Sequence, residues 1–231
     1  MIYPNDFMNK IIHGDCLEVM KSVPDNSVDL IVTDPPYGIN YSSNGGPRVS
    51  KERKNKIAQE TRLLGDMNIN PEWFIQMYRV LRTESALYCF CGWETFSEMK
   101  DHIKKAGFII KTPLVWDKGN CGMGDLKGDY GNQTEIIIFA TKGRHILHLG
   151  RHRNIFKVQR PADAYRLHPT QKPEELLHHL ILKSSEVGQI VLDPFVGSGS
   201  TLMASKSLDR KFIGIEKDEK YYKIAEHRLE S

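Results

Sequence analysis

A doubly wound α/β fold, with a mostly parallel sheet and inserted basic loops, is what this sequence predicts, on three observations. Short apolar runs alternate with stretches of helical periodicity along the chain. The runs are linked by segments long enough for the helical crossovers that parallel pairing requires. Two of the runs stop at an acid followed by proline, Asp34-Pro35-Pro36 and Asp193-Pro194. The carboxyl ends of strands are where sheets of this kind bind ligands.

The elements follow in order. KIIH (10–13) and VDLIVT (28–33) read as buried strands, and GDCLEVMKSV between them as a short helix with Asp15 as N-cap and Glu18 three residues on. A polar, glycine-containing loop at 42–68 is longer than a compact domain keeps without a use for it, and is expected to be mobile. NPEWFIQMYRVLRTE predicts a helix over 70–84, with Asn70 as cap, Pro71 at the first helical position, and Trp73, Phe74, Met77 and Leu81 on one face. ALYCFCG is a strand, and WETFSEMKDHIKKAG a helix closed by Gly107. FIIKTPLVWD and TEIIIFAT each read as one strand, joined by a glycine-rich, mobile 117–132. Beyond a basic stretch without strong apolar periodicity, PEELLHHLILKSS, STLMASKSL and DEKYYKIAEHRLE are helices alternating with the strands QIVLDPF and RKFIGIE. Trp73, Trp93 and Trp116 sit in apolar patterns and are assigned to the core.

At 231 residues and 40% hydrophobic composition the chain reads as a single domain, 1–231, with a full core. No apolar run approaches a membrane span and MIYPNDFMNK lacks a signal-peptide pattern, so a soluble, cytoplasmic protein with no membrane partner is expected. Cys16, Cys89, Cys91 and Cys121 suit neither a disulfide framework nor a metal site and read as free thiols. His145, His148 and His152 lie close together without a neighbouring carboxylate or cysteine, so no metal is expected. The net charge of +3 hides a segregation: residues 142–172 hold eight Lys or Arg against one acid, Asp163, and residues 48–62 hold six against Glu52 and Glu60. A polyanion such as nucleic acid is the partner this implies, with solvated loops as the alternative for either segment alone.

The second unusual strand end is VLDPFVGSGSTLMASKSLDRKFIGIE (191–216). Gly197 and Gly199 occupy a strand-to-helix turn, where they let a ligand approach the backbone, and Glu216 ends the next strand nineteen residues after Gly197. That spacing suits an acid binding ribose hydroxyls. Ser200 and Thr201 follow Gly199 with no third glycine after them, so the pattern departs from the dinucleotide fingerprint and indicates an adenosine-containing cofactor without a pyrophosphate.

TDPPYG (33–38), HPTQKPEELL (168–177), VLDPFVGSGST (191–201) and FIGIEKDEKYYKIAEHRL (212–229), in that order, resemble the S-adenosylmethionine-dependent DNA amino-methyltransferases of the β group. In that group the catalytic segment precedes the cofactor segment. GDCLEVMKSVPDNSVDLIVTDPPYG is similar to the family along its whole length. Ser200 stands where many members have threonine, and the target-recognition segment is short, about 145–167. The resemblance implies a Rossmann-like methyltransferase sheet and methyl transfer to adenine N6 in double-stranded DNA by base flipping. Adenine is preferred over cytosine N4 because the acid is Asp in DPPY where cytosine enzymes commonly have Ser. Enzymes that methylate RNA or a protein amide usually carry Asn in place of Asp34, which disfavours those substrates. A catalytically silent DNA-binding partner subunit is the alternative from another class. A homodimer and an associated restriction enzyme stay open.

The resemblance gives the acid-proline corner its chemistry. The target amine attacks poorly while its lone pair is delocalised into the base. Asp34 would accept one amino hydrogen and the Pro35 carbonyl the other, and the carboxylate would stabilise positive charge as the methyl arrives. Pro36 stiffens the corner, and Tyr37 offers a flat face to the extruded base. For the cofactor, the resemblance implies Asp15 at the adenine, with Cys16 adjacent, against a bare helix cap. It implies Phe195 on the same ring, against a core position. Asp34, Asp193, Pro194, Gly197, Ser198 and Gly199 would line the turn and Glu216 the ribose. His168, Thr170 and Lys172 would hold the methionine end, with a surface lysine as the competing reading of Lys172. For DNA, Arg48, Lys51, Arg53, Lys54 and Lys56 on one side and Arg151, Arg153, Lys157, Arg160 and Arg166 on the other are expected to open onto the same carboxyl edge of the sheet.

Overall fold

A computed structural model describes residues 2–36, 69–120, 127–159 and 171–230. Tyr37, Arg48, Lys51, Arg53, Lys54, Lys56, Arg160, Arg166, His168 and Thr170 lie outside the described residues, as do Cys121 and the 42–68 loop. The elements are β1 (Lys10–His13), α1 (Cys16–Met20), β2 (Val28–Thr33), α2 (Pro71–Val80), β3 (Leu81–Cys91), α3 (Phe96–Lys105), β4 (Ile109–Ile110), β5 (Leu114–Asp117), β6 (Thr134–Lys142), β7 (Ile155–Lys157), α4 (Glu174–Ser184), β8 (Ile190–Asp193), α5 (Ser200–Ser207), β9 (Lys211–Glu216) and α6 (Glu219–Glu230).

They build one sheet in the order β1-β9-β8-β2-β3-β6-β5-β7, with β4 also paired to β6. β1, β9, β8, β2 and β3 run parallel, and β6 enters antiparallel to β3. The doubly wound, mostly parallel sheet predicted from the sequence is present. β2 explains why an unbroken apolar run was needed: all six of its residues are buried, because helices cover both faces of a central parallel strand. Ile31 packs with Val19 and Met20 of α1, Phe74 and Met77 of α2, and Met99 and Ile103 of α3. Leu30 and Val32 point the other way, to Leu176, Leu177 and Leu180 of α4 and Ala204 of α5. Each such side chain contributes about 1.5–3 kcal/mol by leaving water.

Five parallel strands bring their carboxyl ends to one edge. β6 runs the other way, so its first residues reach the same edge: Ile136 pairs with Cys91, at the end of β3, and Glu135 lies one residue beyond. β5 places Trp116 against Glu135 and Asp117 against Thr134.

The structure corrects several expectations. The helix over 70–84 stops at Val80, and Leu81 opens β3 at an extended ψ of 137° while pairing with Val28. FIIKTPLVWD is two short strands, because Pro113 has no N–H for the ladder and the chain kinks between β4 and β5. The basic stretch contains a strand, β7, parallel to β5 with Phe156 buried. Trp116 is in the core as assigned, Trp73 is half-buried, and Trp93 is 68% exposed. Cys16, Cys89 and Cys91 are buried free thiols. Among the described residues no helix is long and apolar enough to cross a membrane.

Candidate active site

The turn after β8 is organised by Asp193. Its Oδ1 accepts from Thr33 Oγ1 at 2.9 Å and from the Phe195 N–H at 3.1 Å, and the Thr201 side chain adds a further bond. Burial pushes this carboxyl up to about 6 against the pull of those donors. With 3% exposure, Asp193 shapes the turn from beneath. Pro194 and Ser198 are buried beside it. Gly199, at φ +86°, adopts the left-handed backbone that side chains disfavour, and a Cβ there would approach Ala225 Cβ of α6 at 3.1 Å. Ser200, at the first position of α5, has a buried hydroxyl with no hydrogen-bond partner among the described residues.

Glu216 lies across this turn. Its Oε2 accepts from the Gly197 N–H and its Oε1 from the Asp218 N–H, each at 2.8 Å. Burial raises its pKa and the backbone donors oppose that rise. The two bonds fix the carboxylate while leaving acceptor capacity on both oxygens, as a diol would need. Asp15 is adjacent, since His13 pairs with Glu216 in register and the Gly14 N–H reaches Glu216 O at 2.9 Å. Asp15 is the helix cap expected: Oδ1 accepts from the Leu17 N–H at 3.0 Å, while Oδ2 pairs with Lys217 at 3.1 Å. Cys16 is buried and its thiol is pushed up to about 12, chiefly by desolvation. Phe195 is half-buried and meets Trp73 edge-on, centroids 4.9 Å apart. A fixed acid, an aromatic ring, two positive-φ glycines and an unmet buried hydroxyl fit a nucleoside-type cofactor.

The acid-proline corner opens beside this turn, because β2 and β8 are neighbours in register. Pro35 is buried and Pro36 exposed. Asp34 Oδ2 lies 2.8 Å from Lys172 Nζ, and the same ammonium lies 2.5 Å from Glu135 Oε1. Lys172 is 7% exposed, so it is no surface lysine. Its ammonium also sits 4.8 Å from the Phe90 ring centroid. Burial by itself would lower the Lys172 pKa, but Asp34 and Glu135 outweigh it and hold the group above the usual lysine range. Burial likewise disfavours ionised Glu135, yet Lys172 and then Lys118, at 3.5 Å, hold its pKa down.

Glu135 and Lys118 were missed in the sequence. Their signal is present but faint: an acid heads the apolar run of β6, and a lysine directly follows the strand-ending Asp117. The expected DNA residues separate. Lys157 pairs in register with Asp117 at the carboxyl edge. Arg151 and Arg153 do not share it. They line a cleft with Lys111, Thr112 and Lys183, where Lys183 at the end of α4 donates to the Leu149 and Gly150 carbonyls at 3.2 and 3.1 Å. That is the opposite edge of the sheet, from which β8 starts. His145 is engaged there as well, with Glu84 O at 2.8 Å and Ser184 Oγ at 2.9 Å.

A family model described as DNA methylase, for N6 and N4 enzymes, matches residues 28–227. Type II methyltransferase M.HinfI of Haemophilus influenzae is 28% identical over 251 residues, spanning 97% of this chain and 69% of that protein. DNA adenine methyltransferase YhdJ of Escherichia coli (strain K12) is 32% identical over 268 residues, spanning 98% of this chain and 85% of that protein. The crystal structure of the M1.HpyAVI-SAM complex aligns with a TM-score of 0.73 at 26% identity, over 96% of this chain and 99% of that one.

Proposed function

The chain belongs to the N6/N4 DNA methylase family, and from that premise we propose that it methylates the exocyclic N6 of adenine in double-stranded DNA at the Asp34 corner. The observation that carries this reading is adjacency: the strand that leads into Asp34 lies beside the strand whose turn holds the nucleoside-type site, with Glu216 next along the same edge. S-adenosylmethionine, bound there, supplies an electrophilic methyl group. Glu216 would accept the ribose hydroxyls, Asp15 and Phe195 would flank the adenine, and Gly197 and Gly199 would leave the backbone open to it.

Asp34 and the Pro35 carbonyl act on the target amine. Each accepts one amino hydrogen, which withdraws the nitrogen lone pair from conjugation and aims it outward. Positive charge grows on that nitrogen as the new bond forms, and the Asp34 carboxylate is fixed where the charge appears. A charge-assisted bond of this type contributes about 1.5–3 kcal/mol. The buried positions of Pro35 and Asp193 and the Thr33 bond keep the corner rigid without help from the ligand.

Expression in a host lacking adenine methylation, followed by sequencing with modification detection, tests the reading. N6-methyladenine at one recurring short site is expected; unmodified DNA, or N4-methylcytosine alone, would overturn it. On the same footing we place a homodimer and an associated restriction enzyme, and light scattering of the free protein decides the first.

A further inference from the structure

Four charges alternate in sign along the carboxyl edge: Asp34 after β2, Lys172 before α4, Glu135 on β6 and Lys118 after β5. The family resemblance placed Lys172 at the methionine end of the cofactor, but its ammonium lies between two carboxylates, one of them the acid assigned to the target amine. We propose that Lys172 is the counter-ion that keeps Asp34 ionised toward the target base, and that Glu135 is a positioning residue acting through Lys172. This rests on the reading that Asp34 acts on the target amine.

The surroundings of Asp34 require such a cation. From β3 it faces Cys89 and Cys91, both raised by burial, Cys91 to about 12, so these thiols stay neutral. From β8 it faces Asp193, and beyond Lys172 stands Glu135 on β6, itself beside Lys118 of the β5 end. A carboxylate among neutral thiols and further acids takes up a proton unless a cation is held against it. A protonated Asp34 accepts poorly from an amine. The second carboxylate has a purpose too. A lysine paired with Asp34 alone would neutralise it as an acceptor, whereas one shared with Glu135 leaves the three groups a net negative charge facing the base. The Phe90 ring holds the ammonium from the side by a cation–π contact.

The test uses K172M, E135Q and the K172M/E135Q double variant of the full chain, with D34A alongside. S-adenosylmethionine affinity is measured by calorimetry, and single-turnover methylation of duplex DNA is followed against pH. K172M is expected to lose about tenfold or more in rate near neutral pH and to move the acid limb of the profile up by about one pH unit, with cofactor affinity nearly unchanged. E135Q is expected to move the acid limb down, because a neighbouring negative charge is removed, and to lower the plateau. The double variant should recover activity relative to K172M, since no unpaired second acid competes for a proton. Loss of cofactor affinity in K172M with the acid limb in place would assign Lys172 to the cofactor and overturn the proposal. Additive losses in the double variant would show that Glu135 does not act through Lys172. Should K172M fail to fold, E135Q still decides: an unmoved limb overturns the proposal. A D34A variant that still methylates DNA would instead refute the parent reading.

Discussion

Thr33 donates to Asp193 while the next residue, Asp34, faces Lys172, so two carboxylates at the ends of neighbouring strands have opposite surroundings. Asp193 has neutral donors and no paired cation among the described residues, and burial lifts its pKa from 3.8 to about 6. Because the folded-state value lies above the unfolded one, its contribution to stability is fully present below about pH 4 and is lost as pH rises through about 6. D193N, which keeps a carbonyl oxygen for Thr33 and Phe195 without the charge, should flatten the dependence of melting temperature on pH across that window. Melts at closely spaced pH values check this; an unchanged slope would contradict the assignment. Asp34, Gly197, Gly199 and Glu216 were legible in the sequence because each breaks a pattern, an acid or glycine where an apolar strand gives way. Glu135 was not, since an acid heading an amphipathic run reads as the ordinary polar start of a strand. Lys172 was legible as a site residue, but its partners come from β2 and β6, and no local pattern encodes a contact across the sheet.

Elements were legible where one period dominated and blurred where two met. Leu81 falls in phase with Phe74 and Met77 on the apolar face of α2, yet it is also the first paired residue of β3. Its side chain is fully buried under either assignment, so burial could not choose between them. β7 is three residues long in a basic context and gains its stability from neighbours: Trp116 Nε1 donates to Val158 O at 2.7 Å, and the Val115 N–H to Asn154 O at 2.7 Å. Gly214 of β9 shows how closely α5 must pack to hold the glycine turn in place. A Cβ there would lie 2.4 Å from Leu202 Cδ1 and 2.7 Å from Val196 Cγ2. G214V should therefore cost about 1–3 kcal/mol, or more if the turn cannot shift, and should weaken cofactor binding along with it. Chemical denaturation together with calorimetry reads both; a variant as stable as the parent would show that the β9–α5 contact is slack.

At the scale of the whole molecule, charge segregation predicted a nucleic-acid partner, and the fold divides the charges by task. Lys142 is bound to the Tyr78 and Leu81 carbonyls, each at 2.7 Å, and Lys172 is buried in the site. Lys157 is exposed at the edge where Asp34 sits, whereas Arg151 and Arg153 lie at the other edge. Each phosphate contact steepens the fall of log affinity with log salt by roughly 0.9, so K157E should flatten that slope by about one. Reversal of Arg151 and Arg153 should leave it alone. Titrations of duplex DNA at several salt concentrations separate the two, and equal effects at both edges would mean that DNA wraps the sheet. The central claim, that Asp34 drives methylation of adenine N6, is tested most directly by mass spectrometry of nucleosides from duplex DNA incubated with S-adenosylmethionine and either wild type or D34A. The account predicts N6-methyldeoxyadenosine from the wild type and none from D34A, with cofactor binding by D34A largely intact. Comparable N6-methyldeoxyadenosine from both proteins would contradict it.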